Sequence, residues 1–286
     1  MTRQPAPSPS PVRDLVVALT PFEEPNPRIV AAAERAGALG LLDLGRDAAL
    51  ARGALAELAK LLGPRPYGVR VPVGCPTGPD ELPAEVDTVL LADPLRQRRP
   101  ADWAADGHRR VWAEVTGPRE AAAAVAAGAD GIVAKGHEAG GRVGDLTTFV
   151  LVQRLLADPD IRVPVLAHGG IGPHTAAAAV AGGATGVVLD TQLALTTEGE
   201  DALPGPVAAA LRAMDGSETV LLDGHRVYTR PDLTLPAQWA PGHEQRLRTR
   251  ETDDTAGGAD RVTSGATDDA RLDRTGGGAA GSADRV

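Results

Sequence analysis

The chain has 286 residues, enough for two average domains or for one large barrel or α/β domain. With two Phe, two Tyr and three Trp, its core must be built mainly from Ala, Val, Leu and Ile, and a hydrophobic share of 43% suffices for one sizeable core. The single cysteine, Cys75, excludes a disulfide framework and a cysteine-rich zinc site, and no metal site is predicted. The net charge of −9 argues against general attraction to nucleic acid or to anionic membranes.

The two ends of the chain differ in composition from the rest. Residues 1–12 are rich in Pro and Ser and contain no hydrophobic segment, so we predict a flexible N-terminus without a signal peptide. No apolar run approaches the roughly 20 residues needed to cross a bilayer, and we expect a cytoplasmic protein. Residues 242–286 are mostly Gly, Ala, Thr, Asp and Arg, which predicts a disordered linker to further domains or, alternatively, an idle tail.

Between residues 13 and 235 the sequence alternates short apolar runs with helical segments. Most of the runs lack polar alternation, as expected for strands that are covered on both faces. The predicted strands are Leu15–Leu19, Leu39–Leu44, Tyr67–Val71, Val86–Leu91, Arg110–Val115, Gly131–Ala134, Val163–Ala167 and Gly186–Leu189. The predicted helices are Pro27–Ala36, Asp47–Leu62, Pro118–Ala127, Thr147–Leu156 and Pro173–Ala181, with only weak helices in the Pro- and Gly-rich segments 72–83 and 93–106.

The number of these units favours a (β/α)₈ TIM barrel within the α/β class. Roughly eight strand–helix units in about 215 residues lie near the lower size limit of that fold. A doubly wound sheet is the alternative, but its usual Gly-x-Gly-x-x-Gly turn after the first strand is missing, because that turn reads Thr20–Glu23. We therefore predict a barrel over residues 13–235.

Three loops at the predicted carboxyl ends of the strands carry unusual sequence, and this is the end of a barrel where functional groups lie. Lys135–Gly144, after the sixth strand, combines four glycines with Lys, His, Glu and Arg. His168–His174, after the seventh strand, leads through glycines into a helix whose N-terminus suits a phosphate. Asp190–Gln192 follows the eighth strand, and the last two loops form the usual phosphate site of this fold.

The residues of these loops resemble a known family. Gly128–Gly141, Leu146–Thr148, Pro164–Ile171 and Gly183–Val187 together resemble the nitronate monooxygenases, formerly 2-nitropropane dioxygenases, a group that includes flavin-dependent enoyl-acyl-carrier-protein reductases. The resemblance covers about residues 15–196. It implies a barrel that holds FMN non-covalently. By this resemblance Glu138, Ala139, Gly140 and Gly141 lie along the flavin, and Gly169, Gly170 and Thr191 hold its phosphate.

At one position the catalytic set departs from the family. Members usually carry a His directly after Glu-Ala-Gly-Gly, where it acts as a base or positions the substrate, and here the residue is Arg142. Arginine stays protonated and cannot serve as a general base, but it could clamp a carboxylate or phosphate or stabilise an enolate-like charge. His137 and His168 are the nearby candidates for the missing base, and otherwise they are partly buried polar residues.

Two further departures concern the binding of the cofactor. Asp190 replaces a glycine that is usual in the phosphate loop after the eighth strand, and its carboxylate would repel a phosphate unless it points away or pairs with a cation. Arg70 stands where the family usually has Asn. The long segment that covers the site in the family is also shortened here.

The favoured interpretation is an FMN-dependent oxidoreductase acting on an acyl thioester or another small activated substrate. The linker and the segment from Asp215 onward resemble barrel domains embedded in polyketide- and polyunsaturated-fatty-acid-synthase-like proteins. This resemblance implies acyl chains on a carrier protein as substrate, other synthase domains as partners and NAD(P)H as a candidate electron donor. The alternative is a non-catalytic barrel that serves as a docking or structural module of such an assembly.

Three other features have interpretations of their own. Lys135, at the end of the sixth strand, is a candidate Schiff-base lysine of a sugar-phosphate lyase, but a salt-bridged lysine is favoured. Glu114, at the end of the fifth strand, is interpreted as a member of an ion pair rather than as an acid or base. Asp223-Gly224 predicts a hairpin turn that caps the domain.

Overall fold

The computed structural model describes residues 12–97, 99–104, 107–200, 203, 205–214 and 218–228. Apart from Val12, the predicted flexible N-terminus lies outside these residues, as do the predicted tail at 242–286 and the last residues of the predicted barrel domain. In the described part of the chain, no helix has both the length and the apolar character that crossing a membrane requires.

Eleven strands occur in the described ranges, and eight of them form a closed parallel barrel. In chain order the strands are β1 (Val16–Leu19), β2 (Leu39–Asp43), β3 (Tyr67–Val71), β4 (Val86–Ala92), β5 (Arg110–Val115), β6 (Gly131–Lys135), β7 (Gly141–Arg142), β8 (Val165–His168), β9 (Gly186–Leu189), β10 (Thr219–Leu222) and β11 (His225–Tyr228). All except β7, β10 and β11 belong to the barrel, which closes where β1 pairs with β9. The predicted TIM barrel is confirmed, since a doubly wound sheet would leave two edges unpaired.

Each strand boundary lies within two residues of the prediction. The largest shift is at β8, which begins at Val165 rather than Val163. The intervening Pro164 has no N–H to donate to a neighbouring strand, which explains the later start.

Eight helices occur in the described ranges, and two of them begin at a side-chain cap. They are α1 (Pro27–Arg35), α2 (Ala48–Leu62), α3 (Pro100–Trp103), α4 (Pro118–Ala126), α5 (Thr148–Leu156), α6 (Pro173–Ala181), α7 (Thr197–Glu200) and α8 (Gly205–Ala213). The side chain of Asn26 accepts hydrogen bonds at the start of α1, and that of Asp47 does so at the start of α2. Between β3 and β5 only short 3₁₀ turns and the four-residue α3 form, as the Pro- and Gly-rich sequence there predicts.

The barrel interior is filled by aliphatic side chains and one aromatic ring. Its members are Val17, Leu19, Leu39, Leu41, Leu90, Trp112, Val133, Leu166 and Val188. A Cβ atom at Gly131 would lie 2.7 Å from Cδ1 of Trp112, so a glycine is required where β6 passes the indole. The aromatic-poor composition therefore still yields a continuously packed interior.

The predicted hairpin forms, and it does more than end the domain. Its turn uses Asp223 (φ 47°) and Gly224 (φ 72°), the left-handed pair that a two-residue hairpin requires. Strand β11 also pairs with β7, with His225 opposite Arg142, so the hairpin extends the glycine-rich loop that follows β6. A three-stranded antiparallel sheet is thereby built at the carboxyl end of the barrel.

Candidate functional site

Two cavities lie at the carboxyl ends of the barrel strands. We call the first the loop cavity; it has a volume of about 850 Å³ and is lined by the glycine-rich loops after β6 and β8, by β9 and its following turn, and by α8. The second, the mouth cavity, has a volume of about 490 Å³ and lies over the barrel interior beneath the hairpin. The two cavities share four wall residues: Gly140, Asp190, Thr191 and Tyr228.

The backbone of the glycine-rich loops forms one wall of the loop cavity. Gly169 has φ 112°, and a Cβ atom there would lie 2.9 Å from both the backbone N of Ala139 and Oγ1 of Thr148. Only glycine therefore allows the loops after β6 and β8 to meet at this point. At Gly140 the situation is different, because an added Cβ would contact only Cγ2 of Thr191, at 3.5 Å.

The side chain of Glu138 has a local structural task. Its Oε2 accepts hydrogen bonds from the backbone N–H of Thr148 (2.9 Å) and from Oγ1 of Thr148 (3.0 Å). The carboxylate therefore holds the first turn of α5 against the glycine loop. Glu138, Ala139, Gly140, Gly169, Gly170, Asp190 and Thr191 all line the loop cavity, and Gly141 lines the mouth cavity.

The carboxylate of Asp190 is engaged by the protein rather than free in the loop cavity. Its Oδ2 lies 2.9 Å from Nε2 of His168, and its Oδ1 accepts a hydrogen bond from Oγ1 of Thr191 at 3.2 Å. Burial alone would raise the pKa of Asp190, but the charge and hydrogen bond of His168, together with Lys135, lower it to about 2. The departure from glycine at this position is thus compensated by a basic partner.

His168 is held between two acidic side chains. Nε2 contacts Asp190, while the fully buried Nδ1 lies 3.8 Å from Oε2 of Glu114 and has no hydrogen-bond partner in the described part of the chain. Neither ring nitrogen is left open toward a substrate. The arrangement is suited to neutralising Asp190, and the catalytic role of His168 stays a prediction.

The floor of the mouth cavity is a buried network of four charged residues: Asp43, Arg70, Glu114 and Lys135. Arg70 donates to Oδ2 of Asp43 at 2.6 Å and to both carboxylate oxygens of Glu114 at 3.1 and 3.3 Å. Nζ of Lys135 donates to Oε1 of Glu114 at 3.2 Å. We call these four residues the floor network.

Burial and pairing act in opposite directions on the floor network. Burial alone would raise the pKa of Glu114, but Arg70, Lys135 and His168 hold it well below its usual range. For Asp43, burial dominates and raises the pKa. Because removing one member of a buried ion pair leaves an uncompensated charge, the network should tolerate substitution poorly.

Arg142 is already occupied by protein carboxylates. Its Nη1 and Nη2 donate to the two oxygens of Glu120 at 2.8 and 3.2 Å, and its Nε lies 3.7 Å from Oδ2 of Asp93. The pKa of Glu120, which burial would raise, is lowered by this pairing. A substrate carboxylate or phosphate would have to compete with Glu120 for the guanidinium, so the proposed clamp remains a prediction.

His137 ties down the glycine-rich loop. Its Nδ1 lies 2.8 Å from the carbonyl oxygen of Gly144, and its own carbonyl accepts a hydrogen bond from Nε of Arg226 at 2.7 Å. It is absent from the described walls of both cavities. The structure therefore places His168 and Arg142 at the mouth cavity and His137 outside it.

Sequence reasoning missed some of the side chains that form the mouth cavity. It noted Arg70 only as a departure from the family, and it assigned no role to Asp43 or to the hairpin residues Arg226 and Tyr228. The available signal was an arginine inside an otherwise apolar buried strand, because such a charge needs an acidic partner from a neighbouring strand.

The closed barrel, with two cavities at the carboxyl ends of its strands, defines a (β/α)₈ protein with a candidate small-molecule site. Residues 84–203 match the family model described as nitronate monooxygenase. The family resemblance identified in the sequence is thereby confirmed.

One curated relative is similar to part of the chain. The chain is 30% identical over 178 residues to (3aS,4S,5R,7aS)-5-hydroxy-7a-methyl-1-oxo-octahydro-1H-indene-4-carboxyl-CoA dehydrogenase of Rhodococcus jostii (strain RHA1), covering 60% of this chain and 50% of that protein. The chain thus spans about half the length of this curated relative.

Two solved structures share the fold over most of the described chain. FabK from Thermotoga maritima is 26% identical with a TM-score of 0.66, and the match covers 77% of this chain and 72% of FabK. Nitroalkane oxidase from Streptomyces ansochromogenes is 26% identical with a TM-score of 0.62, over 77% of this chain and 80% of that structure.

Proposed function

We propose that the chain is an FMN-dependent oxidoreductase domain that acts on an acyl thioester. The observation that carries this proposal is the pair of adjoining cavities at the glycine-rich loops, together with the engagement of Asp190 by His168. Had the Asp190 side chain filled the space beside Gly140 and Gly169, a phosphate could not lie there. The match to the nitronate monooxygenase family and the similarity to a carboxyl-CoA dehydrogenase support the reaction class.

The residues present fit a phosphorylated flavin. Both cavities fall within the range of about 300–1,000 Å³ that is usual for small-molecule sites. Gly169, Gly170 and Thr191 would hold the phosphate at the loop cavity. The backbone of Glu138–Gly141 would lie along the ring system, which the mouth cavity would admit. When bound, the flavin would supply hydride or electron transfer between a donor and the substrate.

The chain's own residues would bind, orient and exclude water. His168 keeps the Asp190 carboxylate from facing an incoming phosphate alone. The hairpin covers the mouth cavity with His225, Arg226, Val227 and Tyr228. Excluding water in this way strengthens every electrostatic interaction within the cavity.

The same proposal has four further parts. The electron donor is NAD(P)H, the substrates are acyl chains bound to a carrier protein, the partners are other synthase domains, and the location is cytoplasmic. The similarity to a carboxyl-CoA dehydrogenase of Rhodococcus jostii is in keeping with a thioester substrate. The alternative of a non-catalytic docking module is motivated by both Arg142 and Asp190. We disfavour it because Asp190 is paired with His168 and two cavities are present, although Arg142 is paired with Glu120.

The proposal is tested by titrating the protein with FMN and following the quenching of flavin fluorescence. Gly140→Val should weaken FMN binding at least tenfold, because Gly140 lines both cavities and its new side chain would occupy them. The backbone accepts a side chain there, so folding should be preserved.

Gly117→Val is the matched control, since Gly117 precedes α4 outside the described cavity walls and has open space around its Cβ position. Equal FMN affinity of the two variants and the parent chain would reject the assigned site. Failure of the parent chain to bind FMN at all would reject the proposed function.

A further inference from the structure

Lys135 occupies a position that its ion pair does not fully explain. The side chain is buried, with 6% of its surface exposed, and it lines the mouth cavity at the carboxyl end of β6. Its ammonium group has three N–H donors, and among the described residues Glu114 is its only hydrogen-bond partner. Two donors therefore remain to be satisfied in a largely buried place.

Lys135 shares the carboxylate of Glu114 with Arg70, which leaves its N–H donors with fewer acceptors. Both oxygens of Glu114 already accept hydrogen bonds from Arg70, and Lys135 shares one of them. Arg70 has a second acid, Asp43, whereas Lys135 has none within ion-pair distance in the described chain. The floor network is thus polar, with its negative end at Asp43 and its positive end at Lys135.

The positive end faces the glycine-rich loop. A Cβ atom at Gly141 would lie 3.7 Å from Nζ of Lys135, so the ammonium lies directly beside the Gly140–Gly141 backbone that walls the cavity. Of the other cations at this cavity, Arg46 pairs with Glu23, Arg142 pairs with Glu120, Arg226 donates to the carbonyl oxygen of His137, and Arg96 is exposed. Lys135 is the buried cation of the cavity floor with donors to spare.

The charges around Lys135 indicate which kind of ligand group could accept its hydrogen bonds. The mouth cavity is lined by five carboxylates, those of Glu23, Asp43, Asp93, Glu114 and Asp190, and by six cationic side chains, those of Arg46, Arg70, Arg96, Lys135, Arg142 and Arg226. Lys135 already has a counter-charge in Glu114, so its spare donors need a hydrogen-bond acceptor rather than a second full anion. A neutral carbonyl oxygen, which gains negative charge only as its acyl group reacts, is such an acceptor.

We infer that Lys135 anchors the carbonyl oxygen of the acyl thioester, with Glu114 as the positioning residue that holds the ammonium beside Gly141. This inference rests on the proposed function for the substrate class. It assigns Lys135 a non-covalent role, distinct from a Schiff-base lysine. The ammonium donates a hydrogen bond to the thioester oxygen and keeps its proton.

The experiment compares two ligands that differ only in the carbonyl group. Crotonyl-coenzyme A and its but-2-enyl thioether, which lacks the carbonyl, are titrated calorimetrically into the parent chain, Lys135→Met and Lys60→Met. Lys60, on the exposed face of α2, is the one other lysine in the sequence and serves as the matched control. The parent and Lys60→Met should bind the thioester about tenfold or more tightly than the thioether, and Lys135→Met should lose that preference.

The inference is overturned if Lys135→Met weakens both ligands equally or neither, or if the parent chain does not prefer the thioester. If Lys135→Met does not fold, the rate of reductive methylation of each lysine is measured in the parent chain instead. The thioester, and not the thioether, should then slow modification of Lys135 while leaving Lys60 unchanged, and equal rates would overturn the inference.

FMN content is recorded on the same preparations. A flavin-binding chain without the carbonyl preference contradicts only the role of Lys135. A chain that shows the preference but takes up no FMN contradicts only the redox assignment.

Discussion

The two cavities are built in contrasting ways. The loop cavity is walled mainly by backbone, with glycines at the points where two loops meet, and its key residues are neighbours in the sequence. The floor of the mouth cavity is a charged network whose members come from β2, β3, β5 and β6. One region offers space and backbone groups, whereas the other holds charge at fixed positions, so substitutions should affect them differently.

The largest effect is expected in the floor network. Glu114→Gln should lower the free energy of unfolding by about 3–5 kcal/mol, because it leaves Lys135 and part of Arg70 buried without a counter-charge. Glu120→Gln, which disrupts the more exposed pair with Arg142, should cost only about 1 kcal/mol. Urea unfolding of both variants measures the contrast, and equal losses would mean that the floor network is not specially buried.

A second test concerns the glycines of the loop cavity. Gly169→Ala should destabilise the fold by about 1–3 kcal/mol, because φ is 112° and the new methyl group meets Ala139 and Thr148 at 2.9 Å. Gly140→Ala should change stability by less than about 0.5 kcal/mol, since its Cβ has ordinary contact distances. Thermal unfolding distinguishes them, and a tolerant Gly169 would contradict the close approach of the two loops.

A third test, which links the two regions, concerns the pH dependence carried by Asp190. Its pKa is about 2 in the folded chain against an ordinary 3.8, so its carboxylate stabilises the fold above pH 3.8 and loses that contribution as pH falls toward 2. At pH 6 the free energy of unfolding of the parent chain should be about 2 kcal/mol higher than that of Asp190→Asn. Unfolding measured from pH 6 to pH 3 should show this difference shrinking below about pH 4, and a constant difference would argue against the His168 pair.

The same contrast explains what the sequence could predict. The eight barrel strands, the capped helices and the glycine-rich loops depend on residues close in the chain, and each was predicted within one or two residues. Glycine spacing also predicted the loops that line the loop cavity. The roles of Gly169 and Gly170 toward a phosphate remain proposals.

The floor network could not be predicted as a unit. Arg70 and Glu114 are 44 residues apart, and Lys135 is 21 residues from Glu114, so only closure of the barrel brings their side chains together. The pairing of the hairpin with β7 was missed for the same reason, since Arg226 and His137 are 89 residues apart. Individual ion-pair tendencies of Lys135 and Glu114 were foreseen, but not their shared geometry.

The central claim is that the loop cavity and the mouth cavity together hold a flavin, and the visible absorption spectrum of the purified chain tests it most directly. We predict a yellow protein with an absorption band at about 450 nm, either as purified or after incubation with FMN and removal of the excess. A colourless protein that retains no FMN while its far-ultraviolet circular dichroism shows a folded α/β barrel would contradict it.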